Sequence, residues 1–348
     1  MADTTRTPAT AATPAATTPA ATTPAATTPG TVTVHPAAGR IGAEIKGVDL
    51  AQPLAPAEVT AIQDALDTWK VVFFRGQHLD HAAQIAFGRQ FGDLTYAHPH
   101  DEAPPEDYPE IYTVDPRRLA QRLGPDGRPE PESARKYSYT SSWHSDVTPA
   151  INPPAGSILR ADVIPSYGGD TTFTNLAAVY AGLSAPVRAF LDTLRAEHRY
   201  GANWSGLPRT RGGYSDRFEE KALISHHPVV RVHPRTGERG LFVNPVFTEK
   251  ILGVTPFESR WILGHLFDEL AKPEYTVRFR WEAGSVAFWD NRATAHLGPQ
   301  DLGHLDVERV LHRVTLIGEI PVGADGRESE LVAGVPFVSS PVFATAGA

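Results

Sequence analysis

Two short segments of the chain carry side chains that could together bind a metal ion. The first is Trp143-His144-Ser145-Asp146, and the second runs from Asn291 to His296. His144 and Asp146 project to the same side of an extended segment, because side chains alternate along a strand. Two imidazoles and one carboxylate suit Fe(II) that must keep positions open for dioxygen. A lone His-x-Asp pair is also explained by a histidine hydrogen-bonded to a nearby carboxylate, and that alternative stays open here.

Two arginines follow the second segment at a spacing that suits anion binding. Arg309 and Arg313 lie four positions apart, so both project to the same side if they belong to one strand. A planar guanidinium binds a carboxylate through two parallel hydrogen bonds, which lysine cannot reproduce. Taken alone, each arginine could equally be a surface cation. Beside a metal site, the pair indicates that anionic ligands bind there.

The composition limits the class of protein and the kind of metal site. The 348 residues carry a formal net charge of -8, which argues against nucleic acid or an anionic membrane as a partner. The chain contains no cysteine, so any metal must be bound through nitrogen and oxygen atoms. No stretch of the sequence approaches the roughly 20 consecutive apolar residues of a membrane-spanning helix.

The chain divides into a polar tail and one large domain. Residues 1–30 are almost entirely Ala, Thr and Pro, and cannot bury enough apolar surface to compensate for the entropy lost on ordering. We expect them to be disordered, followed by one domain at 31–335 and a second tail at 336–348. The first tail lacks the apolar run of a signal peptide, which predicts a cytoplasmic protein.

Short strand patterns separated by turns recur along the large domain. Strands are predicted at Val71–Phe74, Ser157–Ala161, Asp170–Thr174, Val229–Val232, Gly240–Val243, Thr276–Arg280, Ser285–Trp289 and Arg309–Ile317. Helical spacing is present at Pro56–Trp69, His81–Phe91, Pro186–Glu197 and Pro256–Ala271. This pattern is typical of an antiparallel sandwich or barrel, here with helices packed outside. Segment 95–135, rich in Pro and charged residues, is expected to be a long loop.

The remaining histidines have simpler explanations. His226 and His227 precede Pro228 and are expected to fill the edge of a strand. No converging partner is apparent in the sequence for His233 or His312.

In order and spacing, the motifs resemble the taurine dioxygenase family of Fe(II)- and 2-oxoglutarate-dependent oxygenases, from about residue 32 to 322. The resemblance is carried by Trp143-His144-Ser145-Asp146-Val147-Thr148, Gly168-Gly169-Asp170-Thr171, Trp289-Asp290-Asn291-Arg292 through His296, and Arg309-Val310-Leu311-His312-Arg313. Within the family, the chain looks most like the bacterial alkylsulfatases in Asn152-Pro153-Pro154, Ser166-Tyr167-Gly168-Gly169-Asp170-Thr171-Thr172 and Gly237-Glu238-Arg239 to Asn244-Pro245. The resemblance implies a mainly β fold with flanking helices, the double-stranded β-helix or cupin-like jelly roll.

The resemblance also implies roles for individual residues. His144, Asp146 and His296 would bind Fe(II) and form the catalytic centre. The co-substrate 2-oxoglutarate would bind the metal at one end, and its far carboxylate would contact Arg309 and Thr171. Dioxygen would take the last open position on the metal.

For the substrate, the resemblance implies a small anion held next to the metal. Arg313 matches an arginine that binds a sulfate or sulfonate group, and His98 matches a histidine that assists it. Aromatic and apolar residues at Trp204, Leu207 and Tyr214 could line a channel for an alkyl chain. The reaction would be oxidative cleavage of an alkyl sulfate ester to an aldehyde and inorganic sulfate, with succinate and CO2 as co-products.

Two alternatives stay open at this point. The substrate could instead be taurine, another sulfonate or an aryloxyalkanoate. The chain could also be a metal-binding barrel that senses a small anion without turning it over, although such a sensor needs no keto-acid pocket. Family members are commonly dimers or tetramers, so a homo-oligomer is expected.

Overall fold

The structure is a computed structural model that describes residues 31–97, 104–115, 143–200, 202–205, 222–299, 301–302, 305 and 307–340. The strands are β1 (Thr33–Pro36), β2 (Ala43–Lys46), β3 (Val71–Phe74), β4 (Tyr112–Val114), β5 (Gly156–Val163), β6 (Thr171–Asn175), β7 (Arg195–Arg199), β8 (Ile224–Pro228), β9 (Val230–Val232), β10 (Arg239–Leu241), β11 (Thr248–Ile251), β12 (Thr276–Phe279), β13 (Val286–Asp290), β14 (Thr294–Leu297), β15 (Val310–Leu316) and β16 (Glu330–Ala333). The helices are α1 (Pro56–Trp69), α2 (His81–Arg89), α3 (Leu176–Gly182), α4 (Ala185–Leu191) and α5 (Pro256–Leu270).

Two sheets pack face to face and form the core of the molecule. Among the described residues, seven strands form the larger sheet in the order β1-β2-β3-β13-β5-β15-β4, and β12-β6-β14 form the smaller one. Phe73 and Trp289 from the larger sheet lie in one buried cluster with Phe173 and Phe279 from the smaller sheet. Stacking of Phe73 on Phe279, with ring centroids 4.1 Å apart, joins the two layers.

Helices cover the outer face of the larger sheet. The alternation of side chains in β3 directs Val72 and Phe74 toward these helices, where they pack with Ile62 of α1 and Phe87 of α2. Burial on both faces explains why β3 is a continuous apolar run. No helix within the described part of the chain has the length and apolar character needed to cross a bilayer.

The pairing of the strands is that of a jelly roll. Among the described strands, every pairing is antiparallel except that of β2 with β3. A further sheet has the order β11-β7-β8-β16. The predicted double-stranded β-helix with flanking helices is therefore confirmed. The tail boundaries at residues 30 and 335 are not tested and stay predictions.

The predicted helix at Pro186–Glu197 is wrong in its second half. The helix α4 ends at Leu191, and β7 begins at Arg195. Ala196 and His198 of this strand are fully buried while their neighbours are partly exposed, which is the two-residue period of a strand. Arg, Ala and Glu favour helices locally, but pairing with β8 and β11 overrides that preference.

Two further expectations need correction. Segment 95–135 was expected to be a loop, but it contains β4, whose Tyr112 pairs with Arg313 of β15. His226 and His227 were expected at a strand edge, but β8 lies between β7 and β16. Both errors concern pairing with strands distant in sequence, which local patterns do not show.

Candidate metal centre

The two candidate histidine ligands lie directly opposite each other on neighbouring backbone segments. The His144 amide donates to the His296 carbonyl at 3.0 Å, and the His296 amide donates back to the His144 carbonyl at 2.7 Å. Their ring centroids are 4.2 Å apart. Ligand atoms of His144, Asp146 and His296 all lie within 4.8 Å of one another. The three predicted ligands are therefore brought together.

The Asp146 carboxylate is buried and bound by two donors. Ser157 Oγ donates to Oδ2 at 2.6 Å, and Arg313 Nη1 donates to Oδ1. Burial raises the pKa of Asp146, but the charge of Arg313, the two histidines and the Ser157 hydrogen bond together hold that pKa well below its ordinary value. Asp146 is consequently an anion at neutral pH, as a metal ligand must be.

Asn291 connects the residues around this carboxylate. Its Nδ2 donates to Ser157 Oγ at 2.8 Å, and its Oδ1 accepts from the Asp146 amide at 3.3 Å. Trp289 Nε1 also donates to this Oδ1 at 2.9 Å. The sequence prediction included Asn291 only as part of a motif and missed Ser157. The available signal was a hydroxyl in an otherwise apolar stretch of β5, which is weak.

His296 has the properties of a free imidazole ligand. Burial and the neighbouring His144 lower its pKa to about 3, so the ring is neutral at pH 7 and keeps a lone pair. Its Nδ1 is buried and has no hydrogen-bond partner among the described residues. Two imidazoles together with one ionised carboxylate fit a divalent metal such as Fe(II).

Arg309 lies against the segment that leads into Thr171. The guanidinium is buried, and its Nε donates to the Gly169 carbonyl at 3.1 Å. Gly169 has a φ of +80°, and a Cβ at this position would lie 3.2 Å from Arg309 Nε. Glycine therefore permits both this backbone conformation and the close approach of the guanidinium. Thr171 Oγ1 accepts a hydrogen bond from Trp281 Nε1 at 2.9 Å, a contact that the sequence prediction missed.

Arg313 faces the metal ligands from β15. Its guanidinium carbon lies 5.0 Å from the centre of the Tyr112 ring, and its buried Nε has no partner in the described part of the chain. Alternation along β15 directs the adjacent His312 to the opposite face, where it lies 3.3 Å from Asp162. This contact with Asp162 is one that the sequence did not reveal.

The other predicted residues are placed differently or lie outside the described part. His98, Leu207 and Tyr214 lie outside the described residues. Trp204 packs edge-on against Phe267 of α5, with ring centroids 4.9 Å apart. His233, for which no converging partner is apparent in the sequence, lies 3.0 Å from the Asp290 carboxylate, beside Asn291.

Comparison with known proteins agrees with this geometry. Residues 33–315 match the family described as "Taurine catabolism dioxygenase TauD, TfdA family". An alpha-ketoglutarate-dependent sulfate ester dioxygenase from Pseudomonas putida is 41% identical over 303 residues, with 85% of this chain and 93% of that protein covered. An alkylsulfatase from Acinetobacter baylyi is 36% identical over 294 residues, with 83% and 86% covered.

Solved structures give the same family assignment. The structure superposes on the crystal structure of a taurine dioxygenase from Burkholderia xenovorans with a TM-score of 0.73. The two sequences are 47% identical, and the match covers 88% of this chain and 96% of that chain.

Proposed function

The chain belongs to the TauD/TfdA family of 2-oxoglutarate-dependent dioxygenases, and we propose from this premise that it oxidatively cleaves alkyl sulfate esters. Its cofactors are those of the family: Fe(II), with 2-oxoglutarate and O2 as co-substrates. When bound, the iron supplies the activation of O2 that couples decarboxylation of 2-oxoglutarate to oxidation of a substrate carbon.

The metal ligands in this proposal are His144, Asp146 and His296. Their mutual distances, the neutral His296 ring and the ionised Asp146 carboxylate support the assignment. Together they would cover one face of the metal and leave the other face for the co-substrate and dioxygen.

Arg309 and Thr171 are proposed to bind the far carboxylate of 2-oxoglutarate. Arg309 is buried beside Gly169, and Thr171 lies two residues further along the same segment. A buried guanidinium with a fixed orientation is well suited to a carboxylate, because it offers parallel N–H groups and loses little entropy on binding.

The observation that carries the substrate assignment is the contact between Arg313 and Asp146. It places a guanidinium, with donors beyond those used on Asp146, next to the proposed metal. A sulfate group held there would bring its ester carbon to the reacting face. Hydroxylation of that carbon yields a hemiacetal sulfate, which collapses to an aldehyde and hydrogen sulfate. His98 is proposed to assist in binding the anion.

A sulfonate substrate is the second candidate. It is favoured by the 47% identity to a protein described as a taurine dioxygenase, because a sulfonate would bind the same arginine. The two candidates differ in the atom that links sulfur to the oxidised carbon. Hydroxylation of the carbon that bears a sulfonate group releases sulfite, whereas hydroxylation of the carbon that bears a sulfate ester releases sulfate.

A matched substrate pair tests the proposal. Hexyl sulfate and hexane-1-sulfonate have the same chain and differ by the ester oxygen, and taurine serves as the short sulfonate. With Fe(II), 2-oxoglutarate and air, we expect hexanal, sulfate and succinate from hexyl sulfate at the highest kcat/KM. Turnover of sulfonates alone, with sulfite release, would show that the assignment is wrong. No succinate with any anion of a wider panel would favour the anion-sensing barrel.

Location and assembly are also proposals. A cytoplasmic location would give access to 2-oxoglutarate. A homo-oligomer, either dimer or tetramer, is supported by Phe257 and Trp261, which lie one turn apart on α5 and are 73% and 70% exposed. Light scattering of the purified protein gives the mass in solution, and a monomer would contradict the assembly proposal.

A further inference from the structure

Two histidines outside the proposed metal ligands are fully buried in the sheet β11-β7-β8-β16. His198 of β7 and His227 of β8 each have 0% exposure, and their ring centroids are 5.0 Å apart. Buried histidines are retained where they make hydrogen bonds that an apolar residue cannot make. Those of His227 reach the segment that follows Asp146.

His227 donates to the backbone of this segment. Its Nε2 lies 2.8 Å from the Thr148 carbonyl and 3.1 Å from the Ala150 carbonyl. Both partners are acceptors only, so Nε2 carries the proton. Nδ1 then lies 2.7 Å from the Ser329 hydroxyl, whose single proton it shares with the Pro321 carbonyl 2.9 Å from that hydroxyl. The ring is held at both nitrogens, which fixes its orientation.

Ser225 adds a bond between those of His227. It precedes His227 by two residues on β8, so both side chains project to the same side. Its Oγ donates to the Pro149 carbonyl at 2.8 Å. Three successive carbonyls after Asp146 are thus bound by side chains of a single strand.

The segment needs such support because its backbone is strained where it leaves Asp146. Val147 has a φ of 45°, in the left-handed region that a β-branched residue rarely adopts. Strained backbone persists only when the surroundings hold it in place. A change at Val147 would rotate the adjoining peptide and redirect the Asp146 side chain.

We propose that His227 is a positioning residue for the metal centre. By binding the Thr148 and Ala150 carbonyls, it holds the turn after Asp146 and thereby directs the carboxylate toward the metal. The inference rests on the proposed function in one respect, which is that Asp146 binds iron.

The test is the affinity of the whole protein for Fe(II), measured anaerobically without substrate. His227→Leu removes both donated bonds at similar volume, and we expect the Fe(II) Kd to rise about 10-fold or more, as for other outer partners of metal ligands. His227→Gln retains a donor at similar reach and should restore most of the affinity. His226→Leu is the matched control, because this neighbour faces the other side of β8 and is 26% exposed. Its Kd should equal that of the native protein.

Thermal unfolding of the metal-free variants separates positioning from general stability. A His227→Leu protein with a lower Tm but the native Fe(II) Kd would overturn the proposal. If that variant does not fold, His227→Asn decides, since its shorter amide stays polar but cannot reach both the Thr148 and Ala150 carbonyls. A weakened Fe(II) affinity in that variant would support the proposal, and a native affinity would overturn it. Asp146→Ala tests the premise separately, because native Fe(II) affinity there would refute the ligand assignment itself.

Discussion

Acidification should destabilise the metal-free protein through its buried histidines. Burial lowers the pKa of His198 to about 3 and that of His227 well below its ordinary value. In the unfolded chain a histidine has a pKa of about 6.5. Below that pH the unfolded chain binds protons that the folded protein does not, so the stability is full above about pH 6.5 and falls as the pH decreases.

The size of the effect follows from these values. At pH 5 the folded state still keeps His198 neutral, so the whole cost of protonation favours unfolding. Between pH 7 and pH 5 this amounts to about 2 kcal/mol for His198, out of the 5–15 kcal/mol that is typical for the stability of a folded protein. His227 acts in the same direction. His296, with a pKa of about 3, acts in the same direction.

The buried carboxylates do not contribute to the change in stability between pH 7 and pH 5. Asp146 and Asp290 also have lowered pKa values, through their cationic neighbours and hydrogen bonds. For an acid, a lowered folded pKa gives stability that is present above the unfolded pKa and lost only below it, at about pH 4. Their contribution is constant between pH 7 and pH 5.

Urea unfolding of the metal-free protein at the two pH values provides the assay. We expect His198→Gln to reduce the pH-dependent loss by about 2 kcal/mol, since the titrating group is gone. Thr148→Val is the matched control, because it removes the partner of His198 Nδ1, 2.9 Å away, but keeps the histidine. This control should be less stable at both pH values with the native difference between them. An unchanged difference in His198→Gln would refute the reasoning.

Three further predictions concern the proposed site. Ser157→Ala removes the hydroxyl that donates to Asp146 and orients its carboxylate. Loss of such an outer partner of a metal ligand typically costs about 10- to 100-fold in affinity, so the Fe(II) Kd should rise about 10-fold or more in an anaerobic titration. A native Kd would contradict this. Arg309→Lys keeps the charge but loses the paired donors, so steady-state kinetics should show a higher KM for 2-oxoglutarate and little change for the sulfate ester. The reverse pattern would exclude this role. Arg313→Ala should mainly raise the KM for the sulfate ester, because the guanidinium that would bind the sulfate group is lost. An effect confined to 2-oxoglutarate would disprove it.

The candidate ligands could be identified in the sequence because their donor types are distinctive. His144 and Asp146 share one short motif, and their side chains need only a local extended backbone to converge. The prediction that the distant His296 joins them rested on the order of the motifs and the family resemblance, because no local pattern connects these residues. Strands such as Val71–Phe74 were equally predictable, since burial on both faces leaves an uninterrupted apolar run.

The support around the ligands could not be predicted in the same way. Ser157 and His227 contact the ligand segment only because β5 and β8 pack beside it, and that neighbourhood is a product of the complete fold. Arg195–Arg199 illustrates the same limit, because its residues favour a helix until two partner strands are present. Packing between segments distant in sequence determines both the strand at Arg195–Arg199 and the contacts of Ser157 and His227. A local sequence pattern carries no information about that packing.

The reciprocal backbone bonds between His144 and His296 have a consequence for the lifetime of the protein. These residues are far apart in sequence, so an unfolded chain must close a large loop to offer both to one ion, and that closure costs entropy. An ion bound there stabilises only the folded chain, and its binding free energy adds to that of folding. Metal-free molecules are therefore expected to unfold more often and to be digested faster by proteases than metal-bound ones.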